Sequence, residues 1–185
     1  MTLDEVKRSC ETCEKCALAK SKTNTVFGTG NERATLMFVG EAPGGDEDRS
    51  GIPFVGRAGK LLDLYLEAVG IARDEVYIAN ILKCRPPQNR DPDASEAENC
   101  FPYLKEQIRC IKPKIIVCLG RIAAMKLIRE DFRITKEHGV FVKKGSFDMT
   151  AVYHPSLLLR DPTKREDMLT DMLLVAQKLR EHQNK

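Results

Sequence analysis

Long apolar runs are absent from the sequence: none approaches the about 20 residues that a membrane-spanning helix needs, so we expect no contact with membranes. The first residues, MTLDEVKRSCETCEK, are too charged for a secretory signal peptide. An excess of one charge is also lacking, because 30 Lys and Arg face 27 Asp and Glu, for a net charge of +3. This balance permits nucleic-acid binding without arguing for it. We therefore expect a cytoplasmic protein, in a compartment where disulfides are rare.

Repeats, linkers and low-complexity stretches are absent too, so we expect one domain over residues 1–185. Strands are predicted at 35–39, in EVYIANILKC, in KIIVCLG, and in GVFVKKG and FDMTAVYH around a turn at 144–146. Helices are predicted at 3–20, 58–69, 95–110, 121–129 and 166–182, the third with Ser95 and Glu98 as its capping box. The alternation predicts a three-layer α/β/α fold with a mostly parallel central sheet of about four strands.

Four of the seven cysteines have the surroundings of metal ligands. Cys13 and Cys16 form a C-x2-C pair in the predicted N-terminal helix, and Cys84 and Cys100 lie beside proline, asparagine or charged residues. Thiolates in such polar segments bind Zn²⁺ or iron, whereas buried free cysteines mostly pack as small apolar side chains. The pattern predicts a metalloprotein.

The other three cysteines have different expected roles. Cys118 in KIIVCLG and Cys110 at the end of a helical stretch are predicted to pack in the core. Cys10 forms a second C-x2-C with Cys13, so spacing alone leaves open whether the ligand pair is Cys10 and Cys13 or Cys13 and Cys16.

Three unusual loops follow predicted strands and should meet at the carboxyl edge of the sheet. The first, residues 40–48, combines glycines with four acids and matches neither a P-loop nor G-x-G-x-x-G. Its carboxylates could orient water or act as a base, or the segment could be a tight turn with solvated acids. Phe54, in the segment that follows, could stack on a planar ring or pack against the sheet.

The second and third loops add an amide and an imidazole. Asn80 ends an apolar strand, and a buried amide there either caps the backbone or contacts a ligand. His154 is held extended before Pro155, which makes it the best acid or electrophile candidate, with a structural role as the alternative. The other two histidines, His138 and His182, are predicted to be surface residues.

An apolar run, LLLR, follows HPS in the third loop. Exposed apolar side chains there suggest a wedge that unstacks DNA bases or a partner contact, with core anchoring as the alternative.

Together these motifs resemble the family 4 uracil-DNA glycosylases, the iron–sulfur branch of that superfamily. The resemblance runs from Cys13 to about Arg160 and includes VGEAPGGDED, GIPFVGRAGKLL, VYIANILKCRPPQNRDP, the Cys100 position and YHPSLLLR, in the order of the family. It implies a [4Fe-4S] cluster on Cys13, Cys16, Cys84 and Cys100, and thus favours Cys16 over Cys10. It also implies a pocket for a flipped-out uracil formed by Gly40, Glu41, Ala42, Phe54, Asn80 and His154.

The resemblance further implies hydrolysis of the uracil–deoxyribose bond. His154 would donate to uracil O2, Phe54 would stack on the base, and the Asn80 amide would match uracil but leave both ends unpaired against cytosine. Ala42 stands where the better-known family 1 enzymes have a water-activating Asp. Glu41 is therefore our first candidate to activate water, with Glu47 or the backbone as alternatives.

The expected partner is uracil-containing DNA, single- or double-stranded, with free uracil as product and the protein acting as a monomer. Arg57, Ser156 and Arg160 are predicted phosphate contacts and Leu158 the predicted wedge. Two rival functions are a non-catalytic iron–sulfur protein that assists nucleic-acid transactions and a zinc-stabilised binding module.

Overall fold

A computed structural model describes residues 1–184, and within them six strands form one sheet. The strands are β1 (Thr29–Gly30), β2 (Leu36–Gly40), β3 (Tyr77–Asn80), β4 (Ile115–Leu119), β5 (Val142–Lys144) and β6 (Phe147–Val152). The helices are α1 (Leu3–Glu11), α2 (Leu18–Ser21), α3 (Gly45–Ser50), α4 (Arg57–Ala68), α5 (Ala94–Ile111), α6 (Arg121–Leu127), α7 (Ile134–Glu137), α8 (Pro155–Arg160) and α9 (Arg165–Gln183). Every helix among these residues is too short or too polar to span a lipid bilayer.

The strand order across the sheet is β1-β3-β2-β4-β6-β5. The four inner strands run parallel to each other, whereas β1 and β5 pair antiparallel with their neighbours at the two edges. The predicted α/β class and the parallel centre of about four strands are confirmed. Strand β5 lies within the predicted GVFVKKG strand, whereas β1 was not predicted, because its two residues are too few to leave a sequence pattern.

Apolar side chains cover both faces of the sheet because successive residues of a strand point to opposite sides. Phe38 and Val117 face α4 and α9, whereas Met37 and Ile116 face α5 and α6. Every residue of β2 and β4 is buried, as expected for central strands covered by helices on both faces. Cys118 in β4 is fully buried, as predicted.

The predicted N-terminal helix at 3–20 is two helices in the structure. Helix α1 ends at Glu11, and the hydroxyl group of Thr12 donates to the Arg8 carbonyl at 3.3 Å, a local side-chain hydrogen bond that competes with helix continuation. Cys13 and Cys16 therefore lie in the irregular segment between α1 and α2, not on a helix, and α1 carries only Cys10.

Helix α5 begins near its predicted start but with a different cap. Asp93 is the N-cap, and its main-chain N–H donates to the Glu96 carboxylate at 2.9 Å. Arg90 also donates two hydrogen bonds to Glu96, at 2.9 and 2.6 Å. These contacts select the Asp93–Glu96 pair over the predicted Ser95–Glu98 pair, since Glu96 already has an arginine partner from the preceding loop.

Two of the predicted loops contain short helices. Residues 45–50 of the acidic loop form α3, and residues 155–160 after His154 form α8. Pro155 is suited to the first position of α8, because its ring fixes φ and its missing N–H would have had no partner there. The structure therefore replaces the predicted exposed loop with a helix that has a buried side.

Candidate active site

A cleft of about 440 Å³ opens at the carboxyl ends of the parallel strands. This volume is in the range of pockets that hold small organic ligands. The loops after β2, β3, β4 and β6 all contribute to it, as the strand order predicts. Its lining includes Glu41, Ala42, Gly44, Glu47, Phe54, Asn80, Asn89, Asp91, Arg121, His154, Ser156, Leu157 and Arg160.

Phe54 forms one wall of this cleft and is held there by its backbone. Its φ of 54° is in the left-handed region, which is uncommon for a residue with a side chain, and only 6% of the residue is exposed. A Cβ on Gly59 would collide with the Phe54 main chain, so this glycine allows α4 to pack against the bend. The Phe54 ring lies 5.7 Å from the His154 ring, between centroids.

Glu47 fixes the loop that carries Phe54. One oxygen of its carboxylate, Oε1, accepts hydrogen bonds from the main-chain N–H groups of Val55 at 2.9 Å and Gly56 at 2.8 Å. The other oxygen accepts from Gly44 N–H at 3.1 Å. Three backbone donors occupy this carboxylate, which favours a structural role for Glu47 over water activation.

Asn80 brings an unpaired acceptor to the floor of the cleft. The residue is 1% exposed, and its Oδ1 atom has no hydrogen-bond partner among the described residues. A Cβ on Gly40 would collide with Oδ1 and with the Phe54 ring, so the glycine keeps the space beside the amide open. A buried amide oxygen without a partner costs about 1–3 kcal/mol, which a ligand with an N–H group would offset.

His154 follows β6 and caps α8. Its Nδ1 atom accepts a hydrogen bond from the main-chain N–H of Ser156 at 3.1 Å and lies 2.7 Å from the Ser156 hydroxyl group. Burial, and next the positive charge of Arg160, lower the pKa of His154 to about 4. The ring is therefore neutral at neutral pH, and since Nδ1 accepts, Nε2 carries the proton.

Glu41 is half-buried beside Asp91 and Arg121. Burial, and next the negative charge of Asp91, raise the pKa of Glu41 to about 7, against the opposing effect of Arg121. Asp91, in the segment before α5, and Arg121, the first residue of α6, pair with each other at 3.2 Å. A carboxylate with a pKa near 7 is well matched to proton transfer at neutral pH.

The rim residues agree only in part with the predictions. Ser156 and Arg160 line the cleft, whereas Arg57 is exposed at the start of α4, outside the lining. Leu158 is fully buried in the apolar core, so the core alternative applies and its assignment as the exposed wedge is wrong. Leu157 is half-buried and lines the cleft instead, because α8 turns adjacent leucines to different sides.

The cysteines line a separate small cavity between the N-terminal segment and α5. Cys10, Cys13, Cys16, Cys84 and Cys100 all contribute, and the described lining contains neither a carboxylate nor an imidazole. Within residues 1–184, no three His, Cys, Asp or Glu side chains come close enough to hold one metal ion. The donor set around the cavity nevertheless fits an iron–sulfur cluster, in which each thiolate binds a different iron and the sulfur atoms stay farther apart.

Burial raises the pKa of Cys84 and of Cys10 to about 12, so both are neutral thiols without a metal. Cys10 is in a cluster with Val6, Phe27 and Tyr103, against which Cys13 and Cys100 also pack, whereas Cys16 and Cys100 pack against the cluster that contains Cys84. Both Cys10 and Cys16 therefore lie among other candidate ligands, and these contacts fit either of them as the fourth ligand. Among the described residues, none lines both the cysteine cavity and the cleft, although Leu82, Lys83 and Cys84 of the cavity follow closely on Asn80 of the cleft.

Sequence reasoning missed a buried lysine between the two cavities. Lys83 is 1% exposed, and burial lowers its pKa to about 8. Its ammonium group donates to the Asn80 main-chain carbonyl at 2.8 Å and to Gln107 Oε1 at 2.6 Å. Its position in the sequence could have indicated its burial, because Lys83 lies between Leu82 and Cys84 in a segment that directly follows an apolar strand.

His138 and His182 were predicted to be surface residues, but in the structure the side chains of both are largely buried. His138 lies 2.7 Å from Asp171 and packs on the Tyr153 ring. His182 lies 2.7 Å from Asp148, and its side chain is only 17% exposed. Neither is among the residues that line the cleft, and both pair with carboxylates that sequence spacing did not reveal.

Comparisons with known proteins agree with this geometry. A family model described as "Uracil DNA glycosylase superfamily" matches residues 27–177. The type-4 uracil-DNA glycosylase of Archaeoglobus fulgidus is 46% identical over 178 residues, 92% of this chain and 89% of the relative. Those of Sulfurisphaera tokodaii and Pyrobaculum aerophilum are 44% and 38% identical, over 92% and 94% of this chain and 81% and 93% of the relatives.

Proposed function

The chain belongs to the uracil-DNA glycosylase superfamily, and from this premise we propose that it removes uracil from DNA. It hydrolyses the N-glycosidic bond of a deoxyuridine flipped out of the strand and leaves an abasic site. The observation that carries this proposal is the buried Asn80 Oδ1, an acceptor that has no partner among the described residues, in a cleft that Phe54 and His154 also line.

Base selection follows from the amide of Asn80. Its Oδ1 accepts the ring N–H of uracil, and its NH₂ group donates to the adjacent carbonyl oxygen. Cytosine presents the opposite pattern at both atoms, so each end of the amide would lose its partner, at about 1–3 kcal/mol each. Phe54 supplies an apolar face for the ring.

Bond cleavage leaves negative charge on the uracil ring, and His154 stabilises it. The neutral imidazole donates from Nε2 to uracil O2, since Nδ1 is held as an acceptor by Ser156. Once the bound base has displaced solvent from the cleft, a fixed donor stabilises such an anion more than water does. The depressed pKa supports this role, because the ring needs no proton change over the working pH range.

Water activation is assigned to Glu41. Its raised pKa supports general-base chemistry, whereas the three backbone hydrogen bonds to Glu47 leave that side chain with a positioning role. The water would attack the sugar carbon as the glycosidic bond breaks, and Glu41 would take its proton.

A [4Fe-4S] cluster on Cys13, Cys16, Cys84 and Cys100 is part of the proposal. When bound, it would supply a cross-link between the N-terminal segment and the residues that follow β3. The residues that contact the base or activate water are all outside this group.

The first experiment measures uracil release from a labelled oligonucleotide, single- and double-stranded, with alkali to cut abasic sites. We expect product with the wild-type protein and a loss of about 10²–10³-fold in rate with His154→Ala. His182→Ala is the matched control, because it removes a half-buried histidine outside the cleft. Absence of product from both substrates would refute the proposal that the protein is an enzyme. Retained DNA binding would then favour a function as a non-catalytic accessory protein.

A further inference from the structure

Lys83 is a buried cation that has no carboxylate partner within residues 1–184. Its ammonium group contacts the Asn80 carbonyl oxygen, Gln107 Oε1 and the face of the Phe27 ring at 5.7 Å. Burying such a charge is costly unless its hydrogen bonds are satisfied. A methionine would fill the same space without that cost, so packing alone does not account for a lysine here.

Lys83 contacts Asn80, the residue that we propose recognises the base. Its Nζ atom donates to the main-chain carbonyl of Asn80, the same residue whose side-chain Oδ1 has no partner in the described part of the chain. One polar group of Asn80 is thus fixed from behind the cleft, and the other is left free on the side where a base would lie.

Gln107 makes the far end of this connection rigid. Its Oε1 accepts from Lys83, and its Nε2 donates to the Phe27 main-chain carbonyl at 2.9 Å and to the Tyr77 hydroxyl group at 3.2 Å. The glutamine is completely buried in α5, so both ends of its amide are held by the fold. Lys83 therefore connects Asn80 to a fixed point in the protein.

We propose that Lys83 is a positioning residue for uracil recognition, which ties the Asn80 main chain to Gln107 and so holds the Asn80 amide in register with the base. The inference rests on the proposed function. A fixed amide reads a base edge, whereas a mobile one loses the orientation on which the hydrogen-bond pattern depends. Lys83 acts through Asn80 and does not contact the substrate.

The test is a double-mutant cycle with Lys83→Met and Asn80→Ala in the cluster-loaded protein. The measurements are kcat/KM on uracil-containing oligonucleotide and the dissociation constant of free uracil by calorimetry. We expect Lys83→Met alone to reduce both kcat/KM and uracil affinity about tenfold or more. Added to Asn80→Ala, it should change either quantity by less than about twofold, because the group it positions is already gone.

Thr150→Val is the matched control. It removes a buried hydroxyl group of β6 that has no hydrogen-bond partner among the described residues and is not among the contacts of Lys83 or Gln107. We expect unchanged uracil affinity in this variant even where its melting temperature changes. Visible cluster absorption and thermal unfolding are recorded for every variant, so that a loss of folded protein is separated from a loss of recognition.

Two results would overturn the inference. One is additive effects of Lys83→Met and Asn80→Ala, and the other is unchanged uracil affinity in Lys83→Met. If Lys83→Met does not fold, Gln107→Met takes its place in the cycle, since it removes the anchor and keeps the lysine, and the same two outcomes apply. Failure of the wild-type protein to release uracil would refute the proposed function, which is a distinct result.

Discussion

The carboxyl group of Glu41 ionises near neutral pH, since burial and Asp91 raise its pKa to about 7. Only the carboxylate accepts a proton from water, so activity should be lost as pH falls through this value. His154 stays neutral over the same range, because its pKa is about 4. We expect the single-turnover rate to rise roughly tenfold from about pH 6 to about pH 8.

The matched variants for this pH profile are Glu41→Gln and Glu47→Gln. Glu41→Gln should be slow and almost independent of pH. Glu47→Gln should lower stability, since it weakens hydrogen bonds to Val55 and Gly56, but should keep the slope. A pH profile that survives in Glu41→Gln would exclude Glu41 as the base.

Asn80 allows a sharper test of base choice. In Asn80→Asp the ionised side chain has no N–H to donate to a carbonyl group of uracil, so discrimination between uracil and cytosine should weaken. We expect the ratio of kcat/KM for uracil over cytosine to fall at least about tenfold, measured on matched oligonucleotides. Asn31→Asp, at an exposed position, is the control. An unchanged ratio would show that Asn80 does not read the base.

At this scale the sequence predicted residue types well but partners poorly. Asn80 and His154 were recognisable because Asn80 ends β3 and His154 follows β6, and parallel strands bring these ends together. Phe54 was recognisable as an aromatic residue in the segment that follows the acidic loop. The roles of Glu47 and Lys83 depend on hydrogen bonds to main-chain groups, and residue spacing in the sequence does not predict those hydrogen bonds.

Among the elements, α8 changes the assignment of the wedge. It turns Leu158 into the core and Leu157 toward the cleft. We expect Leu157→Ala to reduce activity on double-stranded uracil DNA more than on single-stranded DNA, because a wedge is needed only where bases are stacked and paired. Rates on the two substrates, compared in one assay, check this.

Leu158→Ala is the comparison variant. It should lower the free energy of unfolding by about 2–5 kcal/mol, through the cavity that it leaves, without favouring either substrate. An equal loss on both substrates in Leu157→Ala would contradict the wedge assignment.

Element boundaries were the least predictable part of the fold. The run at 3–20 has helical character throughout, yet α1 ends at Glu11, and the segment with Cys13 and Cys16 packs against the cavity instead. Tertiary contacts override local propensity in such segments. The inner strands were recognisable because complete burial leaves continuous apolar runs, as in β2 and β4.

For the whole molecule, we expect the residues of the cysteine cavity to contribute to stability and the residues of the cleft to contribute to the reaction. We expect Cys84→Ala to lower the melting temperature and DNA affinity more than the single-turnover rate at saturating DNA, because the reactive groups lie in the other cavity. Thermal unfolding, fluorescence anisotropy and single-turnover kinetics measure the three quantities.

Cys118→Ala is the control for Cys84→Ala, since Cys118 is also buried but lies in β4, outside the cysteine cavity. It should lose packing energy only and keep the visible absorption of the cluster. A Cys84→Ala protein with normal stability and a strongly reduced single-turnover rate would contradict this expectation, because it would show that the proposed cluster takes part in bond cleavage.

The hold of Glu47 on the Phe54 loop has a consequence for hydrogen exchange. The amide hydrogens of Val55 and Gly56 are bound to a carboxylate, so they exchange with deuterium only when the loop opens. Their exchange rates therefore report how often the loop that carries Phe54 opens. A base bound against Phe54 should slow the exchange of both amide hydrogens together, so these two hydrogens can be used to measure the opening of the cleft.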